Sequence, residues 1–158
     1  MFEFLMKNAT AELVAPVTGK AIPLEEVKDQ VFASKMMGDG LAFQFDGDTI
    51  HAPCDGVITM FFKTKHAFGI TARNSAEIMI HVGMDTVNLS GEGFTILKGQ
   101  GSKIRKGDAI LKIDRALMKE KNIDLTTPMI ITNGDDVKFT VVGAGKKVTQ
   151  GKDVVVTF

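Results

Sequence analysis

Two histidines lie fifteen residues apart, in Lys65-His66-Ala67-Phe68-Gly69-Ile70 and Glu77-Ile78-Met79-Ile80-His81-Val82-Gly83-Met84-Asp85-Thr86-Val87. Each sits in a strand-like run, and Thr71-Ala72-Arg73-Asn74-Ser75-Ala76 between them reads as a turn. A tight turn centred on Arg73-Asn74 sets His66 directly opposite His81 on one face of a hairpin, with Cβ atoms roughly 5 Å apart. Two adjacent imidazoles support two chemistries. They can hold a metal ion, or one can act as a nucleophile while the other stabilises what it carries.

The elements that must position this pair are mostly strands. Val14-Ala15-Pro16-Val17, Gly56 to Phe62, Ala109 to Ile113, Met129 to Thr132 and Val154 to Phe158 are short apolar runs separated by Gly, Asp or Asn. Short helices are expected only at Asp114 to Lys121, with Asp114 as N-cap, and at Leu24 to Phe32. Many short strands with regular turns predict an all-β sandwich or barrel. The chain also repeats itself. Ala15-Pro16-Val17-Thr18-Gly19 is echoed by Ala52-Pro53-Cys54-Asp55-Gly56, and Gly101-Ser102-Lys103-Ile104 by Gly145-Lys146-Lys147-Val148. Two such pairs suggest two similar half-units packed together, against the alternative of chance similarity between Gly-rich turns.

Composition bounds the function. The 158 residues suffice for one domain with a sizeable core. Nineteen basic and nineteen acidic residues cancel, which argues against nucleic acid as a partner. The single cysteine, Cys54, allows no internal disulfide and reads as a small buried apolar residue. His51 reads as solvated or structural. The apolar run Phe2 to Lys7 is too short for a signal peptide, whose apolar region takes roughly 7–15 residues, or for a membrane span of about 20. A cytoplasmic protein is expected.

Several motifs together resemble one family. They are Ala15-Pro16-Val17-Thr18-Gly19, Phe32 with Lys35-Met36-Met37-Gly38-Asp39-Gly40, Ala52-Pro53 with Asp55-Gly56, Thr64 to Ile70, Glu77 to Val87, Gly91-Glu92-Gly93-Phe94 and Thr127 to Asn133. In this order they resemble the glucose-type enzyme IIA component of the bacterial phosphoenolpyruvate-dependent sugar phosphotransferase system. The resemblance implies a β-sandwich of duplicated hybrid motifs, a barrel-sandwich hybrid with few helices, over residues 12–158, preceded by an extension at 1–11. It implies a phosphotransferase component that accepts a phosphoryl group from the histidine-containing phosphocarrier protein. The group then passes to a cysteine on the IIB domain of a sugar permease.

By the same resemblance His81 is the phosphorylated histidine, His66 the neighbour that stabilises the phosphoryl group, and Thr64 the hydroxyl that orients His66. Asp39 and Asp85 are flanking carboxylates. Phe62, Phe68, Ile80 and Val87 form an apolar rim for the partners, joined by Leu41 and Phe43. No cofactor or metal is required, although zinc could occupy His66 and His81 adventitiously. A monomer peripheral to a membrane permease is expected; Met1 and the lack of an obvious linker favour a free-standing protein over a domain of a larger permease, both of which stay open, and its charge state could be read by regulatory partners.

Imidazole suits such a relay because its pKa, about 6.5, leaves it a neutral nucleophile near pH 7. His81 is expected to attack through Nε2 with Nδ1–H held by a backbone carbonyl near Gly83. Two rivals fit less well. A zinc peptidase of related fold resembles H-x-x-x-D followed by H-x-H, and neither is present. A biotinyl or lipoyl carrier presents M-K-M, for which Lys35-Met36-Met37 has the wrong order.

Overall fold

A computed structural model describes residues 12–158; the expected extension at 1–11, with its apolar run, lies outside the described residues. Among the described residues fourteen strands form three sheets. The largest has eight: β2 (Gly19–Pro23), β3 (Asp39–Phe45), β5 (Gly56–Phe61), β6 (Ala67–Ala72), β7 (Glu77–His81), β9 (Lys103–Ile104), β11 (Thr127–Ile131) and β13 (Lys147–Val148). Their spatial order is β13-β2-β3-β11-β7-β6-β5-β9. A second sheet joins β4 (Thr49–His51), β8 (Phe94–Ile96) and β10 (Ala109–Ile113), and a third joins β1 (Glu12–Val14), β12 (Thr140–Val141) and β14 (Val154–Thr157). In the third, β1 pairs with β14, Glu12 standing opposite Thr157.

The helices are as sparse as the sequence suggests. Asp114 caps α2 (Arg115–Glu120), its carboxylate accepting from Leu117 N at 3.1 Å. The segment from Leu24 to Phe32 is not one helix. It is a 3₁₀ turn (Leu24–Glu26) and then one turn of α-helix, α1 (Gln30–Ala33), capped by Asp29. The break falls at Val27, whose backbone is extended.

The internal repeat is structural. Each Ala-Pro turn leads into a strand that begins with glycine, β2 at Gly19 and β5 at Gly56. Each Gly-x-Lys turn supplies the neighbour in the same register: Gly19 faces Val148, and Gly56 faces Ile104. The turns match as well. Gly151 N donates to Ala15 O at 3.1 Å, and Gly107 N to Ala52 O at 2.9 Å. Identical pairing at both edges of one sheet excludes chance similarity.

Two hydrophobic clusters sandwich the large sheet. Its inner face packs Leu41, Phe43, Phe68, Ile78, Ile80 and Met129 into the main core, with the buried Cys54. Its outer face carries a row from neighbouring strands, Ile22, Ala42, Ile130 and Met79, roofed by Leu24, Val27, Phe32 and Met84. Burying each of these larger side chains contributes roughly 1.5–3 kcal/mol. Double coverage explains why all five residues of β11 are buried and show no alternation. Residues 77, 79 and 81 point to the outer face, so His81 ends β7 beside the small roof.

Candidate active site

The hairpin between the histidines differs from the expected one by a residue. β6 pairs with β7 as Ala67 opposite His81 and Phe68 opposite Ile80. The turn is Arg73-Asn74-Ser75, closed by Ala72 N to Ala76 O at 2.9 Å, with Ser75 at φ 71° and Asn74 Oδ1 accepting from Ala76 N. A one-residue slip normally moves a side chain to the opposite face. His66 escapes because it lies in a bend before β6, after Lys65 at φ 62°. Its carbonyl still accepts from Val82 N at 2.7 Å. The two rings meet edge to face, 4.8 Å between centroids and 82° between planes.

Each ring has one nitrogen committed. His81 Nδ1 lies 2.9 Å from Gly83 O. A carbonyl only accepts, so Nδ1 carries the proton and Nε2 keeps its lone pair. Gly83 has φ 80°, and a Cβ there would stand 2.7 Å from Thr86 Cγ2. A side chain would therefore move the carbonyl that fixes the tautomer. Thr86 is itself buried, its hydroxyl donating to Val82 O at 2.6 Å. Thr64 Oγ1 lies 2.6 Å from His66 Nδ1. When that hydroxyl donates, His66 Nε2 bears the proton and becomes a donor beside a nucleophile.

Packing holds the rings from outside. Phe32 of α1 tilts against His81 at 4.9 Å, and Phe62 meets His66 edge-on at 5.3 Å. Burial, reinforced by the neighbouring His81, pushes the His66 pKa down to about 4. Burial also lowers that of His81, while the Gly83 carbonyl and then the Asp29 and Asp85 carboxylates push the other way. Both rings are thus biased towards the neutral form at pH 7. Folded, they bind protons less readily than in the unfolded chain, where histidine titrates near 6.5. The unfolded state therefore holds more protons in that window. Stability is expected to be full above about pH 6.5 and to fall as pH drops towards 4, which denaturant titrations across that range will read.

The carboxylates near His81 are Asp29 and Asp85. They line a cavity of about 360 Å³ with Lys28, Gln30, Met84 and Asp124. Asp85 stands at φ 57° directly before a 3₁₀ turn (Thr86–Leu89). Asp39, expected here, is elsewhere. It starts β3, which β11 separates from β7, and it takes Gly40 N at 2.8 Å and Lys35 Nζ at 3.5 Å. Asp29 lies inside the stretch expected as one helix, Leu24 to Phe32, so nothing in the sequence marked it as part of a site. Its carboxylate accepts from Val31 N at 2.9 Å. Asp29→Ala is expected to lower the His81 pKa further and to destabilise the fold by about 1 kcal/mol through the lost cap, read by NMR titration and thermal unfolding.

The expected apolar rim also needs correction. Phe68, Ile80, Leu41 and Phe43 are fully buried, because they point into the main core from central strands. They cannot touch a partner. Phe62 is half-buried and Val87 is 49% exposed, as is Val31 of α1 at 43%. Among the described residues no cluster of three or more His, Cys, Asp or Glu is placed to hold a metal ion.

Comparison with known proteins gives this arrangement its place. Residues 11–137 match the sequence signature of the phosphoenolpyruvate-dependent sugar phosphotransferase system, EIIA 1. The chain belongs to that family. The glucose-specific EIIA component of Oceanobacillus iheyensis is 46% identical over 143 residues, 87% of each chain. The glucoside-specific EIICBA component of Staphylococcus carnosus is 42% identical over 151 residues, 96% of this chain and 22% of that protein. The glucose permease IIA structure from Mycoplasma capricolum superposes with a TM-score of 0.83 at 36% identity, covering 92% of this chain and 94% of that one. The expected all-β hybrid fold is thereby established, and with it a role as a phosphotransferase component in sugar uptake. Among the described residues no helix is long and apolar enough to cross a membrane.

Proposed function

We propose that His81 is the phosphoryl acceptor of this EIIA component, loaded by the histidine-containing phosphocarrier protein and unloaded by a cysteine of a IIB domain. The observation that carries this reading is the Nδ1–H of His81 on Gly83 O, which leaves Nε2 as the available nucleophile. In loading, the Nε2 lone pair forms an N–P bond as the N–P bond of the donor's phosphohistidine breaks. The donor ring keeps the released electron pair. His81 retains its Nδ1 proton throughout, and the Gly83 carbonyl stabilises the positive charge that the ring acquires. In unloading, a cysteine thiolate forms an S–P bond, the N–P bond breaks, and the ring returns to its neutral tautomer.

His66 donates from Nε2 to a phosphoryl oxygen, with Thr64 holding it in that tautomer. Asp29 and Asp85 stabilise a cationic ring but repel a phosphate. They favour neither storage nor loss outright, which keeps the phosphoryl group transferable. Phe62 touches the His66 ring, and the exposed Val31 and Val87 lie in the segments that carry Phe32 and Asp85, apolar surface against which a partner can exclude water. Residues 12–158 act as one unit, as a monomer in the cytoplasm with the site face open.

The test is transfer of label from phosphoenolpyruvate through purified enzyme I and the phosphocarrier protein. Acid-labile, alkali-stable label on this chain, chased by a IIB domain, is expected. No label with both upstream proteins active would overturn the proposal.

A further inference from the structure

A second cluster of charged side chains lies away from the histidines. At the edge of the eight-stranded sheet a groove of about 910 Å³ is lined by Arg73, Lys98, Lys103, Arg105, Asp55 and Asp108. It sits at the far end of β6 from His66, about 20 Å along the strand at ~3.3 Å per residue. Its floor is apolar, Val57 of β5 and the buried Ile104 of β9.

The two acidic groups are already engaged. Asp108 accepts from Arg105 N at 2.8 Å and from Lys98 Nζ at 3.3 Å. Asp55 accepts from Lys106 N at 2.8 Å. Among the described residues Arg73, Lys103 and Arg105 have no ion-pair partner, in a chain whose formal charges cancel. A lysine on an edge strand can serve merely to block strand pairing, and Lys147 repeats Lys103 in the other half. Arg105 has no such counterpart: the equivalent residue in the second repeat is Thr149. The repeat therefore leaves Arg105 unexplained, and Arg73 comes from the hairpin turn that separates the histidines.

We propose that this groove binds a phosphate monoester, free or as a lipid headgroup, Arg73 and Arg105 gripping the oxygens and Lys103 adding a third charge over the apolar floor. Guanidinium forks match phosphate geometry in pairs, and the volume suits a small-molecule site. The site is independent of the phosphoryl relay.

The probe is glucose 6-phosphate, added to the ¹⁵N-labelled chain at low ionic strength. Saturable shifts are expected at Val57, Arg73, Lys103 and Arg105, with none from glucose. In Arg73→Gln/Arg105→Gln affinity should fall at least tenfold, while labelling from phosphoenolpyruvate and thermal unfolding stay as in the wild type. Vesicles containing phosphatidic acid separate the sources. Sedimentation of wild type but not of the variant, without shifts from the free probe, assigns the monoester to a lipid headgroup. Equal shifts from potassium chloride at matched ionic strength, an undiminished affinity in the variant, or binding of neither probe would overturn the proposal.

Discussion

His81→Ala is expected to take up no phosphoryl label. No neighbouring group can replace the lost nucleophile: His66 has Nδ1 committed to Thr64 and is itself biased towards weak basicity. The fall in transfer should be at least about 10⁴-fold, the scale of removing a covalent nucleophile. The fold should survive, because His81 is half-buried at a strand end and its loss opens only the edge of the small outer cluster. Autoradiography after incubation with the upstream proteins, alongside circular dichroism, separates the two effects. Wild-type labelling of the variant would move the acceptor to another residue.

His66→Gln should split the reaction in two. Loading is expected to persist, because the His81 tautomer is set by Gly83 and not by His66. Unloading should slow by roughly 10²–10³, the magnitude found when one donor to a developing charge is removed. The labelled variant would then accumulate and resist chase by a IIB domain in rapid-quench experiments. Equal chase rates for wild type and variant would deny His66 its role. Thr64 predicts the intermediate case, since losing the hydroxyl frees His66 to adopt the tautomer that cannot donate.

What the sequence disclosed depended on which forces decided each element. The internal repeat could be read because glycine and proline turn chemistry is local, and both copies pair in one register. The meeting of the histidines was legible, but not the route to it. Arg73-Asn74-Ser75 contains no glycine, and its closure depends on Ser75 accepting a left-handed conformation, which residue preferences do not foretell. The rim rests on the resemblance alone, and matching a motif carries no information on burial: Phe68 and Ile80 point into the main core from β6 and β7, whereas Val87 stands exposed in the 3₁₀ turn after Asp85. Asp29 escaped notice because its approach to His81 is tertiary: α1 folds back over β7, and only Phe32 against the ring reveals it.

The pairing of Glu12 with Thr157 sets both ends of the described chain side by side on one small sheet. Such an arrangement is modular, since a neighbour can be joined at either end without threading or stretching the unit. In the glucoside-specific EIICBA component of Staphylococcus carnosus the matching stretch is 22% of a longer polypeptide. A tethered carrier meets its acceptor at an effective concentration fixed by the linker, in the millimolar range for short flexible ones. A diffusing carrier is instead shared among every acceptor it can reach. The matching stretch makes up 87% of one relative and 22% of another, so on the proposed function the difference between a dedicated shuttle and a common pool would lie in the join.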